Sequence, residues 1–333
     1  MDNTVIIPVY NVGQRLVACL DSIKDAFLLA RAAYPEFAVE VICVNDGSKD
    51  DSGKILDAYV DEVSVEGLSF VAVHQENAGP SVARNKGLSL ATGRWVSFVD
   101  SDDTVSKAYF KIFIDWPHKA DINFFAMRWL YESGEELIAA VRKPTFADSP
   151  DAIASAIYQM TGILHERNIF AFMPNKFICN ELIRHNKIKF VEGLSLSEDE
   201  VFIFNVCHFA KSLSILPNAL YEYQVSSSGL TNAKYRPIEW LADLYEGIAC
   251  EDARDDFKRA ALKGCVGFVR ELTLKNPTIK NLTRYLRFLK TYKALLPSKV
   301  IDHKRIRLML KIPEKIMVLG LKIGGERCRR IFL

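Results

Sequence analysis

None of the seven cysteines (Cys19, Cys43, Cys179, Cys207, Cys250, Cys265 and Cys328) stands in a CxxC pair. Their scatter and odd number argue against a zinc site or a disulfide framework and fit reduced cytosolic thiols. The six histidines show no ligand spacing, and no Ser/His/Asp triad has a local signature. No apolar run approaches the ~18 residues that span a bilayer. The most apolar stretch of the tail, 306–323, is broken by Arg307, Lys311, Pro313, Glu314, Lys315 and Lys322. No secretory signal is visible: Asp2 stands where a basic region is needed, and the run Val5–Val9 is short and contains Pro8. Net charge is scarce too, at +2 over 333 residues. That balance hides an asymmetry: residues 273–333 hold 16 Lys/Arg against 3 Asp/Glu, and the rest hold 27 against 38. An acidic body with a basic tail points to an anionic surface partner.

What is present is a strand–helix alternation through the first hundred residues. Thr4–Tyr10 is rich in β-formers, and Leu16, Leu20, Ile23 and Phe27 follow at helical spacing. Val39–Val44 reads as the next strand. Ser48 and Asp51 form a candidate capping box for a helix carrying Ile55, Leu56, Tyr59 and Val63. Leu68–His74 is a third strand, Gly79-Pro80 opens a third helix that Gly93 ends, and Arg94–Val99 is a fourth strand. This order predicts a mostly parallel sheet covered by helices, with ligands at the carboxyl ends of the strands. Residues 104–230 mix strands and helices. From about 236 the pattern is helical, with Leu282, Tyr285, Leu286 and Leu289 on one face and Lys/Arg on the other.

Three polar clusters carry chemistry. Asp100-Ser101-Asp102-Asp103 follows the fourth strand. Carboxylates so close repel one another unless a cation sits between them, and hard divalent metals accept such oxygens together with substrate phosphates. A solvated acidic turn capping the following helix is the plainer reading of such a run in isolation; its place at a strand end weighs the two readings equally. Asp46, in Asn45-Asp46-Gly47-Ser48, can accept a ring N–H from a base; taken alone, an Asx-type turn with Gly47 in the awkward backbone angle is the plainer reading. Glu198-Asp199-Glu200 contains a candidate general base, or simply the acids favoured at a helix start capped by Ser197. Residues 47–54 have five residues between their glycines, where a P-loop needs four, and Ile55 where Ser/Thr is required. No G-x-G-x-x-G opens the first helix, which disfavours a dinucleotide-dependent oxidoreductase. His74 closes a strand near these clusters and reads as structural.

In order along the chain, Val5-Ile-Ile-Pro-Val-Tyr-Asn11, Val44-Asn-Asp-Gly-Ser48, Asn77-Ala-Gly-Pro-Ser-Val-Ala-Arg-Asn-Lys-Gly87 and Phe98-Val-Asp-Ser-Asp-Asp103 strongly resemble family 2 inverting glycosyltransferases of the GT-A fold. Asn175-Lys176, Phe190-Val-Glu-Gly193, Glu198-Asp199, Tyr221-Glu-Tyr223 and Ser228-Gly-Leu-Thr231 extend the resemblance to members that build bacterial polysaccharides. The resemblance implies a GT-A domain over 1–232, with a nucleotide-binding half (1–103) and an acceptor half (104–232), followed by a helical basic extension over 233–333. It places Pro8, Tyr10 and Asp46 at the nucleobase, Arg84 against the nucleotide, Asp100 at the ribose and metal-bound diphosphate, and Asp102 on the metal. Asp199 becomes the catalytic base. Asn45 departs from a family position that often holds a second aspartate.

The implied activity is metal-dependent (Mn²⁺ or Mg²⁺) transfer of a sugar, from a UDP-sugar or another nucleoside-diphosphate sugar, to a glycan or lipid-linked acceptor in surface polysaccharide synthesis. Nucleic acid is not an expected partner, since no nucleic-acid-binding motif accompanies the basic tail. In the tail, Lys315, Lys322 and Arg329 recur every seven residues beside Ile316, Leu319 and Ile323. That pattern suits a helix in an anionic membrane interface on the cytosolic face, or a basic helical cap on the body. The competing reading of the whole chain is a catalytically idle binding protein on the same fold. A sugar nucleotidyltransferase lacks support, because its Gly-rich, Arg-containing N-terminal loop is missing.

Overall fold

The structure is a computed structural model, and it describes residues 1–140, 144–149, 152–153, 155–157, 160, 169–170, 172–193 and 198–225. The chain divides into two compact units, Met1–Lys234 and Tyr235–Leu333. The second lies outside the described residues, and with it the expected basic helices and Ser228–Thr231.

The first unit is built on one ten-stranded sheet. Four strands alternate with helices: β1 (Asn3–Val9), α1 (Arg15–Ala33), β2 (Val39–Asp46), α2 (Ser52–Glu62), β3 (Leu68–Gln75), α3 (Pro80–Leu90) and β4 (Trp95–Phe98). They pair in parallel in the order β3-β2-β1-β4. β1 and β2 are apolar runs covered on both faces, so they read as continuous rather than alternating hydrophobics. Pro8 interrupts no ladder. Ile6 accepts from Val99 N, so even-numbered β1 residues face β4, whose pairing ends at Ile6↔Phe98; the missing N–H of Pro8 falls just beyond it. On the other face of the sheet α3 lies so close that a Cβ on Gly87 would come within 2.4 Å of the Ile6 side chain. Glycine there sets the depth at which α3, and Arg84 with it, sits on the sheet.

The later strands mix directions. β5 (Thr104–Val105), α4 (Tyr109–Asp115), β6 (Ile122–Tyr131), β7 (Glu136–Ala139), β8 (Thr145–Ala147), β9 (Lys176–Cys179), α5 (Asn180–His185), α6 (Glu198–Phe209) and β10 (Leu213–Val225) complete the elements. The sheet continues β4-β9-β6-β10-β5, antiparallel except for β6 with β10. The parallel pairing expected for the sheet is found in its first four strands and between β6 and β10. β10 shifts register between Leu216 and Ala219, where Pro217 can donate no ladder bond. This sheet joins the two sequence halves, because β10 returns to pair with β5 directly after the Asp100–Asp103 segment.

The core lies under α1 and α4. Phe37, Tyr109, Phe110, Phe113, Phe125 and Phe177 make a contiguous aromatic cluster, with Phe113 stacked on Phe177 at 4.0 Å. A second aromatic group lies at the end of β4. Phe190 stacks face to face on Phe202 of α6 at 4.0 Å, and both meet Phe98 at the end of β4 edge-on. Such contacts add to simple area burial and fix the start of α6 near the end of β4.

Candidate active site

β4 ends at Phe98, and the chain turns through Asp100–Asp103 at the carboxyl edge of the sheet. The expected cluster of equivalent acids resolves into three different carboxylates. Asp103 is buried, accepting the Tyr221 hydroxyl at 2.6 Å and the Gln224 amide at 2.7 Å. Burial and the neighbouring Asp100 hold its carboxyl well above the ordinary carboxylate range. It is a structural post. Tyr221 bridges it to the turn, its hydroxyl also accepting from the Asp100 amide at 3.1 Å. Asp102 points outward with 41% of its side chain exposed and meets Arg15 at 3.4 Å. Asp100 faces the other way, toward Arg84.

Arg84 is the centre of the site. It stands on the second turn of α3 and only 6% of its side chain is exposed. Nη2 contacts Asp100 at 3.2 Å, Nη1 contacts Asp199 at 2.9 Å and Glu198 at 3.6 Å, and the guanidinium lies over the Phe190 ring at 5.5 Å. Burial works against its charge, but Asp199, Asp100 and Glu198 together hold its pKa above the ordinary value. One cation thus supplies the neutralisation that the acid-rich segments require. Its Nε is buried with no hydrogen-bond acceptor among the described residues. Asn85, next to it, grips the Phe190 backbone on both sides, donating to its carbonyl at 2.9 Å and accepting from its amide at 2.8 Å.

Asp199 lies in the first turn of α6, where acids are favoured by the helix dipole, as the helix-start reading has it. Ser197, the expected cap, lies outside the described residues. Burial drives the Asp199 carboxyl upward; Arg84 opposes it, Glu198 and Asp100 add to it, and Lys176 opposes it, leaving a value of about 7. The side chain keeps 24% of its surface open, so an incoming hydroxyl can reach it. A carboxylate poised near neutral pH is suited to general-base work.

The β2 end differs from its simplest expectation. Asp46 is buried, and both oxygens are engaged: Oδ1 accepts from Gln75 Nε2 and the Ala78 amide, Oδ2 from the Gly79 amide, each at 2.8 Å. It anchors the loop that launches α3 and keeps an acceptor position on Oδ2. The turn-forming acceptor is Asn45, whose Oδ1 receives the Ser48 amide at 3.1 Å, while Gly47 takes the left-handed angle (φ +67°). Asn45 Nδ2 also meets His74 Nδ1 at 3.0 Å, and His74 Nε2 meets Asp57 at 2.9 Å. An amide can donate where an aspartate cannot, which accounts physically for asparagine here. His74 is structural, as expected. The Ser48–Asp51 capping box does not form: Ser48 Oγ accepts from the Asn11 amide, and the Ser52 amide donates to Asp50 at the start of α2. Tyr10 is 44% exposed past the end of β1, and Pro8 is partly buried within it.

Hence Arg84 contacts both Asp100 and Asp199, Asp102 stands two residues past Asp100, and Asp46, Pro8 and Tyr10 lie at the ends of the neighbouring strands. Sequence reasoning gave no role to Tyr221, Asn85 or Arg15. The pairing of an aromatic hydroxyl in β10 with the turn acids has no local signal, whereas Asn85 lay in plain view beside Arg84. Among the described residues, no three His, Cys, Asp or Glu side chains are grouped to enclose a metal ion. Burial and Asp100 nevertheless raise the Asp102 carboxyl, which a cation would relieve. The residues fit a hard cation held by a carboxylate and completed by phosphate oxygens, not a protein-built cage.

A parallel α/β half joined to a mixed half, with acids at the β4 end, has the architecture of the GT-A fold. The crystal structure of Staphylococcus aureus TarS 1–349 in complex with UDP-GlcNAc matches with a TM-score of 0.68 at 21% identity, over 100% of this chain and 90% of that one. The model of glycosyl transferase family 2 matches residues 4–177, more than half of the chain. The chain belongs to that family. Its relatives include a poly(ribitol-phosphate) beta-glucosyltransferase of Bacillus spizizenii (25% identical, 93% of this chain, 48% of the relative). They also include the poly(ribitol-phosphate) beta-N-acetylglucosaminyltransferase TarS of S. aureus (28% identical, 78% and 42%). The chain spans about half the length of these two proteins. A mannosyltransferase of Pyrobaculum calidifontis in complex with GDP-Man and Mn²⁺ shares the fold at a TM-score of 0.56 and 16% identity, over 98% of this chain and 87% of that one. Among the described residues no helix is long and apolar enough to cross a membrane, and the described cysteines are free thiols.

Proposed function

We propose that the chain is an inverting glycosyltransferase that moves a sugar from a UDP-sugar to a hydroxyl of a glycan or lipid-linked acceptor, in the synthesis of a bacterial surface polymer. The observation that carries this reading is the Arg84 bridge, which ties the donor-side acid Asp100 to the candidate base Asp199. The acceptor hydroxyl gives its proton to Asp199 and attacks the anomeric carbon from the face opposite the leaving group. The new carbon–oxygen bond forms as the bond to the diphosphate breaks, and the configuration inverts. Arg84 keeps Asp199 and Asp100 in register and supplies positive charge beside the departing diphosphate. Asp102, with Asp100 beside it, is the position to hold Mn²⁺ or Mg²⁺, and a bound cation there would neutralise charge on the leaving nucleoside diphosphate. The Mn²⁺ in the Pyrobaculum calidifontis neighbour supports use of a divalent cation.

UDP-GlcNAc in the TarS structure and the poly(ribitol-phosphate) relatives support a UDP-sugar and a polymeric or lipid-linked acceptor. On this reading Pro8, Tyr10 and Asp46 border the nucleobase, Asp46 through the free acceptor position on Oδ2. The body over 1–232 does the chemistry, and 233–333 docks it on the cytosolic face of an anionic membrane. The test is hydrolysis and transfer across a panel of sugar nucleotides in manganese, with product anomers assigned by NMR. Inverted product from one UDP-sugar is expected. Binding of sugar nucleotides without turnover of any would favour the idle binding protein instead.

A further inference from the structure

A hydrogen-bond chain links α2 to the bend after β1. The Ser48 amide can only donate, and it donates to Asn45 Oδ1 at 3.1 Å. That fixes the orientation of the side-chain amide, so Asn45 Nδ2 is the group facing His74 Nδ1 at 3.0 Å. Nδ1 must therefore be bare. The ring proton stands on Nε2, which gives it to Asp57 of α2 at 2.9 Å. Asn45 is buried and lies beside His74 in the β2–β3 register. Gly53 of α2 leaves the room for this contact, since a Cβ there would come within 2.9 Å of Asn45 Nδ2. At its other end the chain reaches Asn11. The Ser48 hydroxyl accepts from the Asn11 amide at 3.1 Å, and Asn11 Oδ1 accepts from the Lys49 amide at 2.8 Å. Asn11 holds its backbone in the left-handed region (φ +51°), which asparagine tolerates when its side chain bonds locally. Tyr10 directly precedes Asn11, and Asp46 directly follows Asn45.

We propose that His74 is a positioning residue for donor binding: its Nε2–H tautomer holds Asn45, and through Asn45 the turn that carries Asp46 and the bend that carries Tyr10. The inference rests on the reading that sets Asp46 and Tyr10 against the nucleobase. Asn45 and His74 are a matched donor and acceptor. An aspartate at position 45 would meet Nδ1 with a second acceptor, and the ring would then have to carry a proton there too. Without an acceptor at Nδ1, a buried N–H of Asn45 is left unpaired. The turn then populates other arrangements, and the apparent affinity for the donor falls with the fraction that stays competent.

The experiment measures UDP binding by calorimetry in the full-length wild type, His74→Gln and His74→Asn. A glutamine amide can take the place of Nε2 but presents nothing at Nδ1, whereas an asparagine oxygen takes the place of Nδ1. His74→Gln should bind UDP about five- to tenfold more weakly, the scale of one buried polar group left unpaired, and His74→Asn should stay within about twofold of the wild type. A role in stability alone would lower the melting temperature and leave the affinity of the folded protein untouched. Wild-type affinity in His74→Gln, or an equal loss in His74→Asn, overturns the proposal.

Two further measurements cover a His74→Gln protein that does not fold. Gly53→Ala suits helix α2 better than glycine, but its methyl group displaces Asn45 Nδ2 from the ring, so UDP affinity should fall by a similar factor; unchanged affinity refutes the chain. In ¹⁵N-histidine spectra of the wild type, His74 should show a bare Nδ1 and a protonated Nε2; the opposite tautomer refutes it as well. The nucleobase reading is judged separately, by UDP binding to Tyr10→Ala and Asp46→Ala. If neither variant binds UDP more weakly, that reading fails; if both do while His74→Gln binds normally, only the role of His74 fails.

Discussion

Replacing Asp199 by asparagine should make the protein more stable while abolishing transfer. The carboxyl sits at about 7 in the folded chain against an ordinary 3.8, chiefly because it is buried beside Glu198 and Asp100. A group held more tightly protonated in the fold than in the unfolded chain gives stability that is complete below the unfolded value. That stability drains away as pH rises toward the folded one. Between 3.8 and about 7, at 1.36 kcal/mol per pH unit, the ionised side chain costs the fold about 4 kcal/mol at most. The value of about 7 already includes the attraction of Arg84 at 2.9 Å, so the neutral amide avoids that cost with no second subtraction for the pair. A gain of up to about 4 kcal/mol at pH 8 is expected, or about 8–16 °C in melting temperature for a body of this size. The assay is urea unfolding of the wild type and Asp199→Asn at pH 4.5, 6 and 8. The advantage should be small at pH 4.5, grow through pH 6 and level off by pH 8. A variant no more stable than the wild type at pH 8, or a gain undiminished at pH 4.5, refutes the reasoning. The same variant should bind the donor almost normally, because the base acts on the acceptor.

Asp102→Asn, or chelation with EDTA, should cut turnover by at least about two orders of magnitude, the scale of losing one key electrostatic group; full activity in excess EDTA would remove the metal role. Tyr221→Phe deprives the buried Asp103 carboxylate and the Asp100 amide of their shared hydroxyl. It should cost about 2 kcal/mol in urea unfolding and raise the donor KM, while a variant with wild-type stability would show that the bridge is dispensable. A chain truncated after Glu271 should still hydrolyse donor slowly but lose flotation with anionic liposomes. The full chain should float less as salt rises, with a remainder that salt cannot remove. Equal flotation with and without the tail would leave the soluble helical cap as the account of residues 233–333.

The local features of the first hundred residues were legible because each is written in a short run. β-rich stretches, helical spacing and Gly-Pro punctuation place β1 to β4 and their helices, and acids at the strand ends locate the site edge. Gly47 announced its own turn. Other features depend on residues far apart. The three turn acids look alike in sequence; only Tyr221, more than a hundred residues away, distinguishes the buried Asp103 from the open Asp102, because burial and hydrogen bonding are set by what the fold brings near. The Ser48 hydroxyl was drawn from its capping box by the Asn11 amide in the bend after β1. Arg84 and Asp199 carry no mutual signal across 115 positions. Their ion pair exists because Phe98, Phe190 and Phe202 pack α6 against the end of β4. Composition and motif determined which chemistries this chain could attempt. Tertiary packing decided which carboxylate is structural, which is open to a cation and which is held near neutral pH, since desolvation and charge proximity arise only once distant segments meet.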